Sequence, residues 1–151
     1  MTHTLAYELL NRDAKALPGG GTVQGRVSVD FRVDDTSLLQ ALVKADGGHA
    51  DFMGCFVRGF AGPNREAMNK LLARSSPDTE DGRTLLYICP ECGDIGCGAY
   101  AVRIRFSDNE YTWSDFSYIN GYEPAREIAG LGPFTFAGAP YEATISSASA
   151  L

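Results

Sequence analysis

The sequence predicts an α+β fold in which an antiparallel β-meander carries two or three helices on one face. Three observations lead to this prediction: a strand-like alternation of apolar and polar residues, two helix-start signals between strands, and a C-terminal run of strands with no helical pattern between them. No internal repeat is visible, and 151 residues is the size of one domain. Residues 1–151 are therefore expected to share a single core.

The first two predicted strands form a hairpin. Residues 25–34 read GRVSVDFRVD, and this strict alternation is typical of a strand with one face in solvent. The same period appears more weakly at Leu5, Tyr7 and Leu9, and the Pro-Gly-Gly-Gly sequence at 18–21 provides a flexible connection.

Two helices with a short strand between them are expected next. The first helix should begin at Ser37, because a hydroxyl side chain followed three residues later by Gln40 is typical of a helix start, and it should end at Gly47. The second should begin at Asn64, after Gly62-Pro63, with four apolar residues on its buried face: Ala67, Met68, Leu71 and Leu72. The short strand is expected within residues 50–60.

The C-terminal half contains the meander. An exposed loop is predicted at 75–81, followed by strands at 84–89, 99–106 and 111–118, with a turn at 107–109. The large residues of the last strand change parity between Trp113 and Phe116, which predicts a bulge near Ser114-Asp115. A final helix is expected from Pro140, since proline suits a first helical turn.

Composition and charge exclude several classes of protein. With 44% hydrophobic and 21% charged residues the chain is unlike a disordered or collagen-like one. A net charge of −6 argues against nucleic-acid binding, which needs a basic surface. No apolar run is long enough to span a membrane, and the N-terminal residues lack the pattern of a signal peptide, so a cytoplasmic location is expected.

Three of the four cysteines lie close together in the sequence CPECGDIGCG, which begins at Cys89. The spacing of Cys89 and Cys92 resembles half of a zinc-ribbon site, because two thiolates three positions apart can face one ion. Cys97 would be a third ligand of a structural zinc ion. Spacing does not select the fourth ligand, and the candidates are Cys55, His49, His3 and Asp94.

Other interpretations of this cysteine loop stay open. Its thiols could be small packing groups in a reduced glycine-rich turn, or they could form a redox pair. A redox pair normally has a helix that begins at the cysteines and lowers the thiol pKa, and the glycines at 93, 96 and 98 oppose a helix. A structural disulfide is disfavoured by a cytoplasmic location.

The chain from Leu85 to Ile145 resembles small bacterial proteins of uncharacterised function that carry CPECGDxGCG ahead of an aromatic strand. Those proteins also have a segment like LGPFTF, found here at 131–136. The resemblance implies a shared fold. Some of those proteins bear the label oxidoreductase, which no cofactor motif of this sequence supports, because no G-x-G-x-x-G connects a strand to a helix.

No catalytic constellation is apparent in the sequence. His3 and His49 are the two possible imidazole bases, and both are expected at the surface. Trp113 and its aromatic neighbours could line a ligand site, although aromatic residues on a meander strand usually belong to the core.

The acidic residues suggest a function in protein binding. All of the net charge lies within residues 75–125, and if the loops at 78–81, 91–94 and 108–110 share an edge they create a negative field. A solubility role is the simpler alternative. The leading hypothesis is a non-catalytic module that binds a basic protein, most concretely an immunity protein that neutralises a toxin; the alternative is a thiol- or zinc-dependent enzyme that uses the cysteine loop. The expected contact residues are Asp78, Glu80, Asp81, Asp94, Asp108, Glu110 and Asp115, with Trp113 or Tyr118 as aromatic anchors.

Overall fold

The computed structural model describes residues 2–23, 25–91 and 97–151. The described residues form two runs of consecutive strands, separated by a helix, a short strand and a second helix, and a third helix follows the last strand. The strands are β1 (Leu5–Arg12), β2 (Lys15–Ala16), β3 (Thr22–Val23), β4 (Arg26–Val33), β5 (Thr36–Ser37), β6 (Met53–Gly54), β7 (Thr84–Ile88), β8 (Ala99–Ser107), β9 (Glu110–Ile119), β10 (Arg126–Glu127) and β11 (Phe134–Ala137). The helices are α1 (Leu38–Asp46), α2 (Ala61–Leu71) and α3 (Gly138–Ser149).

The C-terminal strands form the predicted meander, and the α+β fold class is confirmed. The larger sheet has the antiparallel order β10-β9-β8-β7-β6, and β11 also pairs with β9. Asp108 and Asn109, both with positive φ, make the tight turn between β8 and β9. The predicted bulge is present, because the register steps from Ala101↔Ser117 to Arg103↔Ser114 around Asp115, whose φ is +55°.

The predicted N-terminal hairpin is also confirmed. Strand β1 pairs along its whole length with β4, and β5 adds to the other edge of β4. The expectation that one face of β4 meets solvent is wrong in its middle, where Ser28 and Asp30 are both buried. Each is hydrogen-bonded: Gly54 N donates to Ser28 Oγ, and the Ser37 and Tyr87 hydroxyls donate to Asp30. Alternation alone cannot predict that β6, β7 and α1 cover this second face.

Backbone hydrogen bonds join the two sheets into a closed circuit of strands. After β6, Phe56 O accepts from Val29 N and Arg58 N donates to Val27 O, which links the larger sheet to β4. At the other side, His3 N donates to Thr135 O, which links the start of the chain to β11. The circuit therefore runs through β11, β9, β8, β7, β6, residues 56–58, β4 and β1, and then returns to β11.

The three helices have the expected positions, with small differences at their starts. Ser37 Oγ accepts from Gln40 N at the beginning of α1, and Gly47 ends the helix in the left-handed conformation. Helix α2 begins at Ala61 rather than Asn64, and α3 begins at Gly138 rather than Pro140. In both helices a proline therefore occupies the third position, which is tolerated because first-turn amides have no intrahelical partner.

The core lies between the strands and the helices. Trp113 of β9 is fully buried, packs edge-to-face on Phe31 of β4, and donates from Nε1 to the Tyr141 hydroxyl of α3 at 3.0 Å. Tyr141 in turn donates to Leu71 O of α2. One aromatic cluster therefore fixes both sheets and two helices. In the part of the chain that the structure describes, no helix is long and apolar enough to cross a membrane.

Candidate functional site

The topology divides the acidic loops between two ends of the larger sheet. Strand β7 begins after the loop at 75–83, and β8 runs antiparallel to it and ends at the turn at 108–109. These two segments therefore lie at one end of the sheet. Glu91 follows the opposite end of β7, so the condition that all three acidic loops share one edge is not met. Asp94 lies outside the described residues.

Several of the acids expected to bind a partner are already paired within the chain. The Lys70 ammonium forms an ion pair with Asp78, which also accepts a hydrogen bond from Leu85 N at 2.9 Å. Arg103 lies 3.3 Å from Asp115 and 3.8 Å from Asp81. The charges of these acids are therefore largely neutralised where they stand.

Arg83 is the centre of this ion-pair network and was not singled out by the sequence pattern. Its side chain is only 3% exposed, donates to Asp81 and Glu127, and reaches Ser117 Oγ at 3.0 Å. The Thr79 hydroxyl, followed by nearby guanidinium groups, lowers the pKa of Asp81. These contacts fasten the 75–83 loop and β10 to the sheet, which is a structural role.

Three acids at the same end of the sheet have no ion-pair partner among the described residues. They are Glu80, Asp108 and Glu110, of which the first two are exposed. Phe106, the penultimate residue of β8, is 47% exposed beside them and packs on Tyr111 of the next strand. We name these four residues, Glu80, Phe106, Asp108 and Glu110, the acidic end.

The two expected aromatic anchors do not belong to the acidic end. Trp113 is fully buried in the core, so the expectation that it contacts a partner is wrong. Tyr118 is half-buried near the opposite end of β9, and the Arg126 guanidinium lies over its ring, 4.5 Å from the centroid. The alternation of aromatic residues does not reveal which face of a strand is covered, so it could not show that Trp113 is buried. The sequence pattern also offers no reason to choose Phe106, because it is one of several apolar residues in its predicted strand.

The cysteines differ in their covalent state. Cys97 is disulfide-bonded, and Cys55 and Cys89 are free thiols. Desolvation raises the pKa of Cys55 to about 12, so this thiol is a poor nucleophile and metal ligand at neutral pH. Cys92 lies outside the described residues.

The zinc site expected from the cysteine loop stays a prediction for the reduced protein. Among the described residues no group of three or more metal-ligating side chains comes together. The histidines considered as fourth ligands have other contacts: His3 Nδ1 lies 2.6 Å from Asp34 Oδ2, and the His49 ring stacks on Phe52. His3, which was expected at the surface, also joins β11 through its backbone N–H.

Comparisons with known proteins add no relative: no protein-family model, no curated protein and no solved structure matches this chain. Function is therefore argued from the geometry of the site alone.

Proposed function

We propose that this protein is a non-catalytic binding module whose acidic end contacts a basic protein, most concretely an immunity protein that inhibits a cognate toxin in the cytoplasm. The observation that carries the proposal is a contrast among the acids at one end of the sheet. Asp78, Asp81 and Asp115 are paired with cations of the chain, whereas Glu80, Asp108 and Glu110 have no such partner among the described residues.

Unpaired surface carboxylates favour fast association with a basic partner. Their field attracts the partner during diffusion, and it is screened by salt. The exposed ring of Phe106 adds an apolar surface that can be buried at the centre of such a contact. The β8–β9 hairpin holds Phe106 and Glu110 on a hydrogen-bonded ladder and Asp108 in its tight turn, so little ordering is needed on binding.

The test measures binding to the product of a neighbouring gene at two salt concentrations. The triple variant E80Q/D108N/E110Q should lower the association rate constant about tenfold at low salt, with a much smaller effect at high salt. The matched control is D13N/E66Q/E123Q, which removes the same charge from exposed acids elsewhere. Equal effects of the two triple variants, or tight binding that ignores salt, would contradict the proposal.

A thiol-dependent redox activity is a second candidate, and the presence of a disulfide-bonded Cys97 and a free Cys89 in one short segment favours it. A zinc-dependent activity of the same loop would require Cys97 to be reduced. Alkylation of the reduced protein at neutral pH distinguishes a catalytic thiol from the other possibilities, because a catalytic thiolate reacts fast and a packed or metal-bound thiol reacts slowly. Elemental analysis of reduced protein, purified without a histidine tag, should find about one zinc per chain if the loop is a metal site. Slow labelling of every thiol, together with no bound zinc in the elemental analysis, would contradict both the thiol-dependent and the zinc-dependent activity.

A further inference from the structure

A cavity of about 300 Å³ lies at the end of the larger sheet opposite the acidic end. Its wall combines the last residues of β7, the start of α2 and the first residue of β4. Most of the lining is apolar, with Met53, Val57, Phe60, Pro63 and Ile88 among the contributors. A cavity of this size and character is at the lower end of the range for small-molecule sites.

Among the described residues that line the cavity, Arg26 is the one with a buried side-chain donor that has no hydrogen-bond acceptor. Its Nε is buried and has no hydrogen-bond acceptor, while its Nη1 donates to Gly25 O at 2.9 Å. The guanidinium also lies over the ring of Phe60, 5.9 Å from the centroid, and both residues line this cavity and a neighbouring one. Buried donors are nearly always paired in folded proteins, so this one calls for a partner.

Two other arginines of the chain show which partner fits the Nε–Nη2 edge of a guanidinium. Arg12 donates from Nε and Nη2 to Asp51, and Arg126 donates from the same two nitrogens to Asp46. The Nε–Nη2 edge of a guanidinium matches the two oxygens of a carboxylate. In Arg26 the hydrogen bond to Gly25 engages Nη1, Nε has no acceptor, and Nη2 makes no hydrogen bond among the described residues.

The charges around the cavity favour an anion. Glu91 also contributes to the wall, but its carboxylate is neutralised by Arg12 at 3.0 Å. Helix α2 begins at the cavity without a side-chain cap and with no acidic residue in its first turn. The positive end of its dipole therefore adds to the charge of Arg26.

We propose that this cavity binds a small organic acid, with the carboxylate on the Nε–Nη2 edge of Arg26 and an apolar body among Met53, Val57 and Ile88. The site is independent of the proposed function, because it lies at the other end of the sheet. It would let a small molecule occupy the fold while the acidic end remains free.

The experiment titrates the full chain with octanoate, using 1-octanol as the uncharged probe of equal chain length. Octanoate should bind at one saturable site, and 1-octanol should bind about tenfold more weakly or not at all, since it cannot make the paired hydrogen bonds. In nuclear magnetic resonance spectra, the largest chemical-shift changes on adding octanoate should occur at residues 53–64 and 88.

Two arginine variants complete the test. Arg26→Met should weaken octanoate binding about tenfold or more, whereas Arg58→Met, which lies on the neighbouring cavity but not on this one, should bind octanoate like the parent. If Arg26→Met does not fold, Arg26→Lys keeps the charge without the planar edge and should still lose about tenfold. Equal binding of the acid and the alcohol, an undiminished affinity in the Arg26 variants, or no saturable binding would overturn the proposal.

Discussion

Arg126 holds Asp46 through two parallel hydrogen bonds, from Nε to Oδ1 and from Nη2 to Oδ2, each 2.8 Å long. The Asp46 side chain is 5% exposed and also accepts a weaker bond from the Tyr100 hydroxyl at 3.2 Å. This pair connects the last residue of α1 to the short strand β10. Two elements far apart in sequence are thereby joined.

The Asp46–Arg126 pair should stabilise the fold in a pH-dependent way. The hydrogen bonds from Arg126 lower the pKa of Asp46 in the folded state. A lowered pKa contributes stability above the unfolded pKa, and this contribution is lost as the pH falls below about 4. Asp46→Asn should therefore lower the free energy of unfolding by about 1–2 kcal/mol at neutral pH, and the deficit should shrink in acid. Urea unfolding across this pH range measures it; Asp35→Asn, at a fully exposed carboxylate, should show little effect. A deficit that is constant with pH would contradict the assignment.

The buried Arg83 should make its two acidic partners redundant with each other. Asp81→Asn or Glu127→Gln alone leaves one carboxylate on the guanidinium, so each should cost about 1 kcal/mol. The double variant leaves a buried cation with no carboxylate partner, and it should cost more than the two single changes combined. A double-mutant cycle of unfolding free energies measures the difference. Additive costs would show that the two carboxylates act independently.

Buried tyrosines should destabilise the protein in alkali. Desolvation raises the pKa of Tyr111 to about 12, and it also raises the pKa of Tyr87 and of Tyr141. A raised pKa contributes stability that is intact below the unfolded pKa of about 10 and is lost as the pH rises toward the folded pKa. Near-ultraviolet absorbance should therefore show these phenols ionising together with unfolding. Ionisation of Tyr87, Tyr111 and Tyr141 at the ordinary tyrosine pKa in a folded protein would refute this.

Gly54 should tolerate no side chain. A Cβ built there would lie 1.8 Å from Val29 O, because β6 crosses β4 at close range. Gly54→Ala should therefore lower the free energy of unfolding by about 3 kcal/mol or more. Gly62 in α2 has open space around its Cβ position, so Gly62→Ala should be neutral or stabilising by up to about 1 kcal/mol. Thermal melts of both variants compare the sites directly, and an unchanged melting temperature for Gly54→Ala would mean that the crossing is looser than described.

The elements that could be predicted from the sequence are those with local signals. Ser37, Gln40 and Gly47 lie close together in the sequence and mark the start and the end of α1. The change of parity after Trp113 likewise locates the bulge at Asp115. The contacts that decide the site depend instead on residues distant in sequence. Nothing near Arg83 indicates that Glu127 will reach it, and nothing near Arg26 indicates that Met53 and Ile88 will form a cavity beside it.

The same limit explains the errors about the acidic loops and Trp113. Counting acids gives the total charge of a segment, but it cannot show which carboxylates meet an arginine of a neighbouring strand, as Asp81 and Asp115 do. The aromatic residues of β9 alternate with small ones, and only the position of the second sheet reveals that Trp113 faces inward. The antiparallel pairing of the predicted strands is enough to place Glu91 and Asp108 at opposite ends of the sheet, without any side-chain detail.

The hydrogen bond from His3 to Thr135 gives the fold an order of assembly. The β8–β9 and β1–β4 hairpins join residues close in sequence, so they can form early at little cost in chain entropy. The ring of strands closes only when His3 meets β11. Because these residues are far apart in sequence, this contact has a larger loop-closure cost than either hairpin and is expected to form after them. Until it forms, the sheet edge at His3 lacks its backbone partner, and this edge is where premature self-association would begin.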